Sequence, residues 1–258
     1  MNTDEYIYLW AQLGILNHAR YKIAKEQFGD LKNAWKKINT SFLMKLGFGS
    51  KKSERVITIK NNMDFYQLTE QLKRFNAKVL FIEDEDYPQN LKNLGMIKED
   101  PPVFLFVRGK LPLLHKAMGV VGTRRITQYG RICTEKFVSD LARNNFVIVS
   151  GLALGVDSCA HKTTLQNNGT TIAVLGSGVD QIYPYSNNNL AQQILRGDGA
   201  IISEYPLGTR AAKHHFPARN RIISGLCKGV LIVEGGAKSG ALITARCALD
   251  QNREVFAI

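Results

Sequence analysis

The stretch KHHFPARNRIISG, Lys213 to Gly225, sets Lys213, Arg219 and Arg221 beside two histidines and a phenylalanine. These residue types suit a phosphate clamp, an aromatic platform for a base, or acid–base chemistry through His214 and His215. A solvated loop would carry the same residues. Four glycine-bearing clusters elsewhere could complete a site: Gly122-Thr123-Arg124-Arg125, Ser150-Gly151 through Gly155, Gly176-Ser177-Gly178, and Gly235-Gly236 with Ser239-Gly240. Glycine lets the backbone approach a phosphate closely. A helix that starts there aims free amides and its positive dipole end at the same place. One such turn is as often simply a tight turn, but four with arginine in the first point to an anion site.

The elements that position these clusters are legible. Each cluster ends a short apolar run, as in AMGVVGT, NFVIVSG, TTIAVLG and GVLIVEGG, and a helical stretch follows. That alternation predicts a parallel sheet covered on both faces, a Rossmann-like α/β unit whose ligands bind beyond the carboxyl ends of its strands. Val79–Ile82 and Val103–Val107 add strands ahead of it, and YPQNL and EDPP between them are turn chemistry. Lys213–Gly225 falls between the runs IISEYP and GVLIVE, so it enters the crevice edge and then begins a helix at about Ala218.

Residues 4–74 have another texture. Ile7, Trp10, Leu13, then Ile23, Ala24 and Phe28 recur at helical spacing. The chain therefore divides near residue 75 into a small all-α unit, 1–74, and an extended Rossmann-like unit, 75–258. Within the first, Gly47-Phe48-Gly49 resembles the turn of a helix-hairpin-helix, which meets a DNA phosphate through its amides. A turn that needs glycine only for its backbone angles reads the same way.

The 258 residues carry a net charge of +12. Residues 1–74 hold 13 Lys and Arg against 7 Asp and Glu, and residues 101–258 hold 18 against 9. A basic balance spread over both units favours a polyanion partner. Nothing in the sequence approaches a membrane span or a secretory signal. Cys133, Cys159, Cys227 and Cys247 are scattered without a CxxC pair, which fits free thiols in a reducing cytoplasm.

Enzymatic readings find little support. Neither GxGxxG nor the phosphate-loop pattern GxxxxGK[ST] is present, so no NAD or ATP cofactor is expected. No Asp, Glu and His cluster has the spacing of paired metal ligands, although Glu204 and Glu234 end different strands and could approach each other. The phosphoribohydrolases resembling lysine decarboxylase place PGGxGTxxE at a corresponding strand end. EGGAKSGALIT, aligned on its glycines, has Ala241 for the threonine and Thr244 for the glutamate. A nucleotide-processing enzyme of that group remains the alternative function.

GVVGTRRITQYG, VSGLALGVDSCAH, AVLGSGVDQIYP, IISEYPLG, HFPARNRIISGL and VEGGAKSGALITA, in this order and at these spacings, resemble the DNA-processing protein A family, over Tyr87 to Ile258. The helical N-terminal part is similar to that family's sterile-alpha-motif-like domain. The resemblance implies single-stranded DNA binding on an extended Rossmann fold, loading of the recombinase RecA during natural transformation, and a homodimer through the Rossmann unit. It implies neither enzymatic activity nor a cofactor. Many members carry a further winged-helix module, and the sequence here ends at Ile258. Lys213 and Phe216 match the family's DNA-contacting lysine and phenylalanine, and Arg124 its phosphate ligand.

The expected phosphate- and DNA-binding set is thus Gly122, Arg124, Arg125, Ser150, Gly151, Gly176, Gly178, Lys213, Phe216, Arg219, Asn220, Arg221, Ser239 and Gly240. Structural readings stand beside it. Phe216 could be core, Asn220 and Arg221 could tie their helix to the glycine loops, the histidines could be backbone-bonded or solvated, and Asp157 and Asp180 could cap helices.

Overall fold

The helical pattern of residues 4–74 resolves into α1 (Thr3–Leu13), α2 (His18–Phe28), α3 (Leu31–Lys37), α4 (Thr40–Lys45), α5 (Ser50–Asn61) and α6 (Phe65–Arg74) in the computed structural model, which describes residues 3–96, 100–236 and 239–258. Side-chain oxygens of Asn17, Asp30, Asn39 and Asp64 accept from the first free amides of α2, α3, α4 and α6. Trp10 is fully buried, donates from Nε1 to Leu31 O at 2.8 Å and meets Trp35 edge-on at 5.2 Å. That pair welds α1 to α3.

The remaining elements are β1 (Ala77–Phe81), α7 (Gln89–Lys92), β2 (Phe104–Gly109), β3 (Ala117–Gly122), α8 (Gln128–Arg143), β4 (Val147–Ser150), α9 (Val156–Gln166), β5 (Thr171–Val174), α10 (Asn188–Arg196), β6 (Ala200–Ser203), α11 (His215–Leu226), β7 (Gly229–Val233), α12 (Gly240–Asp250) and β8 (Glu254–Ala257). Among the described residues the strands form one eight-stranded sheet in the order β1-β2-β6-β5-β4-β3-β7-β8. From β6 to β8 every pairing is parallel. The two strands ahead of this core, whose direction the sequence leaves open, are antiparallel: β1 pairs with β2, and β2 with β6.

Alternation along each strand explains why apolar runs were needed. Val121, Val149, Val230 and Ile232 face one cluster, shared with the helices from Ile7 onward; Val120, Ile148, Leu231 and Val233 face a second, covered by Val138, Val156 and Ala160. The first cluster runs without a break from Ile7 to Ala248.

Strand order also places the ligand edge. The chain moves outward from β3 through β4 and β5 to β6, then returns across the sheet so that β7 pairs with the other side of β3. Its direction reverses at β3 and β7, and a crevice opens beyond their carboxyl ends. The returning segment carries Lys213 and α11. Gly122, the last residue of β3, lies so close to β7 that a Cβ there would sit 1.9 Å from Val233 O. Only glycine lets the strand ends converge this tightly.

Candidate nucleic-acid interface

A cavity of about 610 Å³ occupies this crevice. Its walls include Gly122, Arg124, Lys213, Phe216, Arg219, Asn220, Ser239 and Gly240, all drawn from the expected set, with Asp157 and Tyr183. The helix that bears Phe216 begins at His215, three residues ahead of the expected Ala218. Pro217 falls in its first turn, where a missing N–H costs nothing.

Arg124 and Lys213 are exposed, and neither forms an ion pair among the described residues. The Arg124 guanidinium lies 5.5 Å from the centre of the Phe216 ring, and the Tyr183 ring 5.6 Å from it at a 37° tilt. Phe216 is half-buried on the cavity wall, backed by Gly176, where a Cβ would stand 3.1 Å from the ring. Cation, ring and ring thus form one ladder at the mouth, and Tyr183, 50% exposed, offers its outer part to solvent. The same cavity is lined by Ser239 and Gly240, where α12 starts. Ser239 Oγ is buried without a hydrogen-bond partner among the described residues and makes no bond to its own helix. The start of α12 thus lines the same cavity as the two cations, and a helix N-terminus with cations beside it suits an anion. Ala237 and Lys238 of the same motif lie outside the described residues.

Several expected ligands prove to be scaffolding. Arg219 is 5% exposed and donates through Nη1 to Gly151 O at 2.8 Å and to Val174 O. Burial pushes its pKa down to about 10, against the attraction of Asp157, so it stays charged at neutral pH. Asp157, buried beside it, accepts from Gly151 N at 3.0 Å and Ala153 N at 3.3 Å, and burial raises its pKa. It braces the loop ahead of α9 and does not cap that helix. Gly151 is glycine because of Arg219: a Cβ would sit 2.4 Å from Nη1. The Ser150 hydroxyl donates to Val120 O at 2.6 Å inside the sheet and is fully buried. Arg221 points to the opposite face of α11 and pairs with Glu204 at 2.6 Å. Gly178 packs under Pro206, away from the cavity, and Asp180 accepts from Gly208 N at 3.0 Å, again without capping a helix. Arg125 is exposed but outside the cavity wall. Asn220 is both wall and tie, since its Nδ2 donates to Gly240 O at 3.1 Å and fixes α11 to the start of α12.

The carboxylates do not assemble. Glu234 accepts from Thr127 N at 3.0 Å, Glu204 holds Arg221, and β5, β4 and β3 lie between their strands. Thr244, in the position aligned with a catalytic glutamate, is buried with Oγ1 3.5 Å from Gly240 O. Among the described residues no group of three His, Cys, Asp or Glu could hold a metal ion. His215 is backbone-bonded through Nδ1 to Gly176 O at 3.0 Å and stacks on Tyr205 at 4.0 Å, and His214 is exposed.

Two contributors escaped the sequence. Tyr183 closes the motif AVLGSGVDQIYP, and its only signal there was an aromatic beside a glycine loop. Gln12 of α1 exchanges two hydrogen bonds with Leu207 (Nε2 to O at 3.1 Å, N to Oε1 at 3.2 Å), anchoring the segment that leads to Lys213. No local pattern marks a contact across so much chain.

The family model described as DNA recombination-mediator protein A matches residues 78–258. The chain belongs to that family. Among the similar proteins, Protein Smf of Synechocystis is 40% identical over 266 residues, covering all of this chain and 65% of that protein. Protein Smf of Escherichia coli is 46% identical over 72% of this chain and 49% of its own length. DNA processing protein DprA of Streptococcus pneumoniae is 43% identical over 76% of this chain and 67% of its own. The chain thus spans about half to two thirds of these relatives. The X-ray structure of S. pneumoniae DprA superposes with a TM-score of 0.77 at 36% identity, over 100% of this chain and 87% of that one. The Helicobacter pylori DprA structure, described for that protein's single-stranded DNA binding mode, gives 0.63 at 34% identity over 71% and 80%.

The crevice cations allow a direct test. Arg124→Ala and Lys213→Ala each remove one exposed cation from a family member whose crevice is basic. Binding to any oligonucleotide should weaken, and the log–log salt slope should become shallower by roughly one phosphate contact, with melting unchanged. An unchanged slope in both variants would remove these residues from the interface.

Proposed function

We propose that this protein binds single-stranded DNA in the crevice beyond β3 and β7 and hands it to the recombinase RecA, without catalysing a reaction itself. The observation that carries this reading is the ladder of Arg124, Phe216 and Tyr183 in a cavity also lined by Lys213 and the start of α12. Cations and helix amides take phosphates in any sequence, and an exposed aromatic face takes an unstacked base, the two requirements of a single-strand binder. A paired duplex keeps its bases stacked and its phosphates outward, so it satisfies only the first. The binding set in this proposal is Arg124, Lys213, Phe216, Tyr183, Ser239 and Gly240, with Gly122, Gly176 and Asn220 shaping the wall. The relatives named for DNA processing and for single-stranded DNA binding support it.

RecA loading, a homodimer through the Rossmann unit, and a helical unit of the sterile-alpha-motif-like kind over residues 1–74 belong to the same proposal. No helix among the described residues is long and apolar enough to cross a membrane. A nucleotide-processing role is disfavoured because Thr244 cannot supply a carboxylate and Glu234 is committed to Thr127.

Gel-shift titrations at two salt concentrations test the reading. Single strands should bind more tightly than blunt duplex. With about five phosphates engaged, the log–log salt slope should be near −3.5. Equal affinity for duplex and single strand would refute it.

A further inference from the structure

Away from the crevice, a groove of about 540 Å³ lies between the end of α1 and α5. Leu13, Ile15, Val56 and Ile59 form its floor, and Lys51, Lys52 and Arg55 stand along its rim. The spacing on α5 explains the arrangement: Lys52, Val56 and Ile59 follow one face of the helix, and Lys51 and Arg55 lie one turn apart beside it. All three cations are exposed, and none pairs with a carboxylate among the described residues. Glu54, the lone acid of α5, instead accepts from Ser50 Oγ at 3.1 Å. Ile59 is 45% exposed, so apolar surface is open to solvent beneath an uncompensated positive rim.

Such a surface selects its occupant by charge and by the kind of apolar floor. Three unpaired cations favour carboxylates or phosphates. Stacking a base needs an aromatic face, and this floor is wholly aliphatic. Phe48, the ring under Lys52, is 5% exposed with Arg20 at 4.1 Å and Lys52 at 4.9 Å over it, so it has no face to offer. Aliphatic side chains of a peptide would fill the floor while its acidic neighbours meet the rim. We propose that the groove between α1 and α5 docks a short acidic, aliphatic peptide segment of a partner protein. The site is separate from the crevice and independent of what the crevice binds.

Fluorescence anisotropy on the full chain tests this with a short labelled peptide of alternating Asp or Glu and Leu or Ile. The peptide should bind saturably, and a counterpart with Lys in place of the acids should not. Arg55→Glu and Ile59→Asp should each weaken binding by about tenfold or more, one through charge and the other through the floor. Lys51→Glu, at an exposed position, supplies the charge test should either of those variants fold poorly. Arg124→Ala should bind the peptide normally. Absence of saturable binding, equal binding of the basic peptide, or wild-type affinity in the groove variants would overturn the proposal. So would displacement of the peptide by a single-stranded oligonucleotide whose own binding is lost in Arg55→Glu, which would make the groove a nucleic-acid surface.

Discussion

Arg219→Met is expected to cost about 3–5 kcal/mol of folding stability, the scale for removing one member of a buried charged set. For a chain of this size that is a fall in melting temperature of roughly 10 °C. The guanidinium holds three segments together: α11, which carries it; the turn after β4, through Gly151 O; and the end of β5, through Val174 O. Its loss leaves both carbonyls without this donor and removes the attraction that opposes burial at Asp157. A pH dependence follows. Burial sets the folded pKa of Asp157 above its unfolded value, so the native state holds that proton more tightly than the unfolded chain does. A group shifted this way adds stability below its unfolded pKa, and that stability is lost as pH rises through the folded pKa. Without Arg219 the upward shift grows, so the deficit of the variant should be greatest near neutral pH and narrow as the solution is acidified. Calorimetric melting across this range checks both statements. A variant that melts like wild type but binds DNA poorly would return Arg219 to the phosphate ligands.

Phe216→Ala should do the reverse, weakening single-strand binding by about 1–3 kcal/mol, the usual scale for one stacked base. That is roughly fivefold to more than a hundredfold in Kd. The ring carries no charge, so the salt slope should stay at its wild-type value. A fully buried phenylalanine would lose about 3–5 kcal/mol of stability on truncation. Phe216 is half-buried at the cavity mouth, in contact with Tyr183 and Arg124, so only a small part of that cost is expected. Melting and binding measured on the same preparation decide the matter. A large drop in melting temperature would make Phe216 core, and normal binding by a stable variant would leave it without a role in recognition.

The sequence by itself determined the sheet, the edge at which a ligand could sit and the family. Strands buried on both faces must be continuously apolar, and glycine is required wherever β3 and β7 converge or a helix begins against a loop. Both demands leave local marks that survive in one dimension, and the ordered motifs from Gly119 to Ala245 carry the family with them. The direction of β1 and β2 left no such mark, because an apolar run reads alike in either orientation; pairing with β6 decided it.

Roles within the site were decided by tertiary structure. Arg219 and Arg221 are indistinguishable as letters, yet two residues on a helix differ by about 200° in direction. One therefore turns into the sheet edge, where it lines the cavity with Nη1 committed to backbone carbonyls, and the other turns away toward Glu204. Ser150 was spent within the sheet and Gly151 on making room for Arg219. Tyr183 and Gln12 came to the site through contacts with residues far along the chain. Burial and long-range hydrogen bonding assign such roles, and both depend on where the chain returns, which no local spacing encodes.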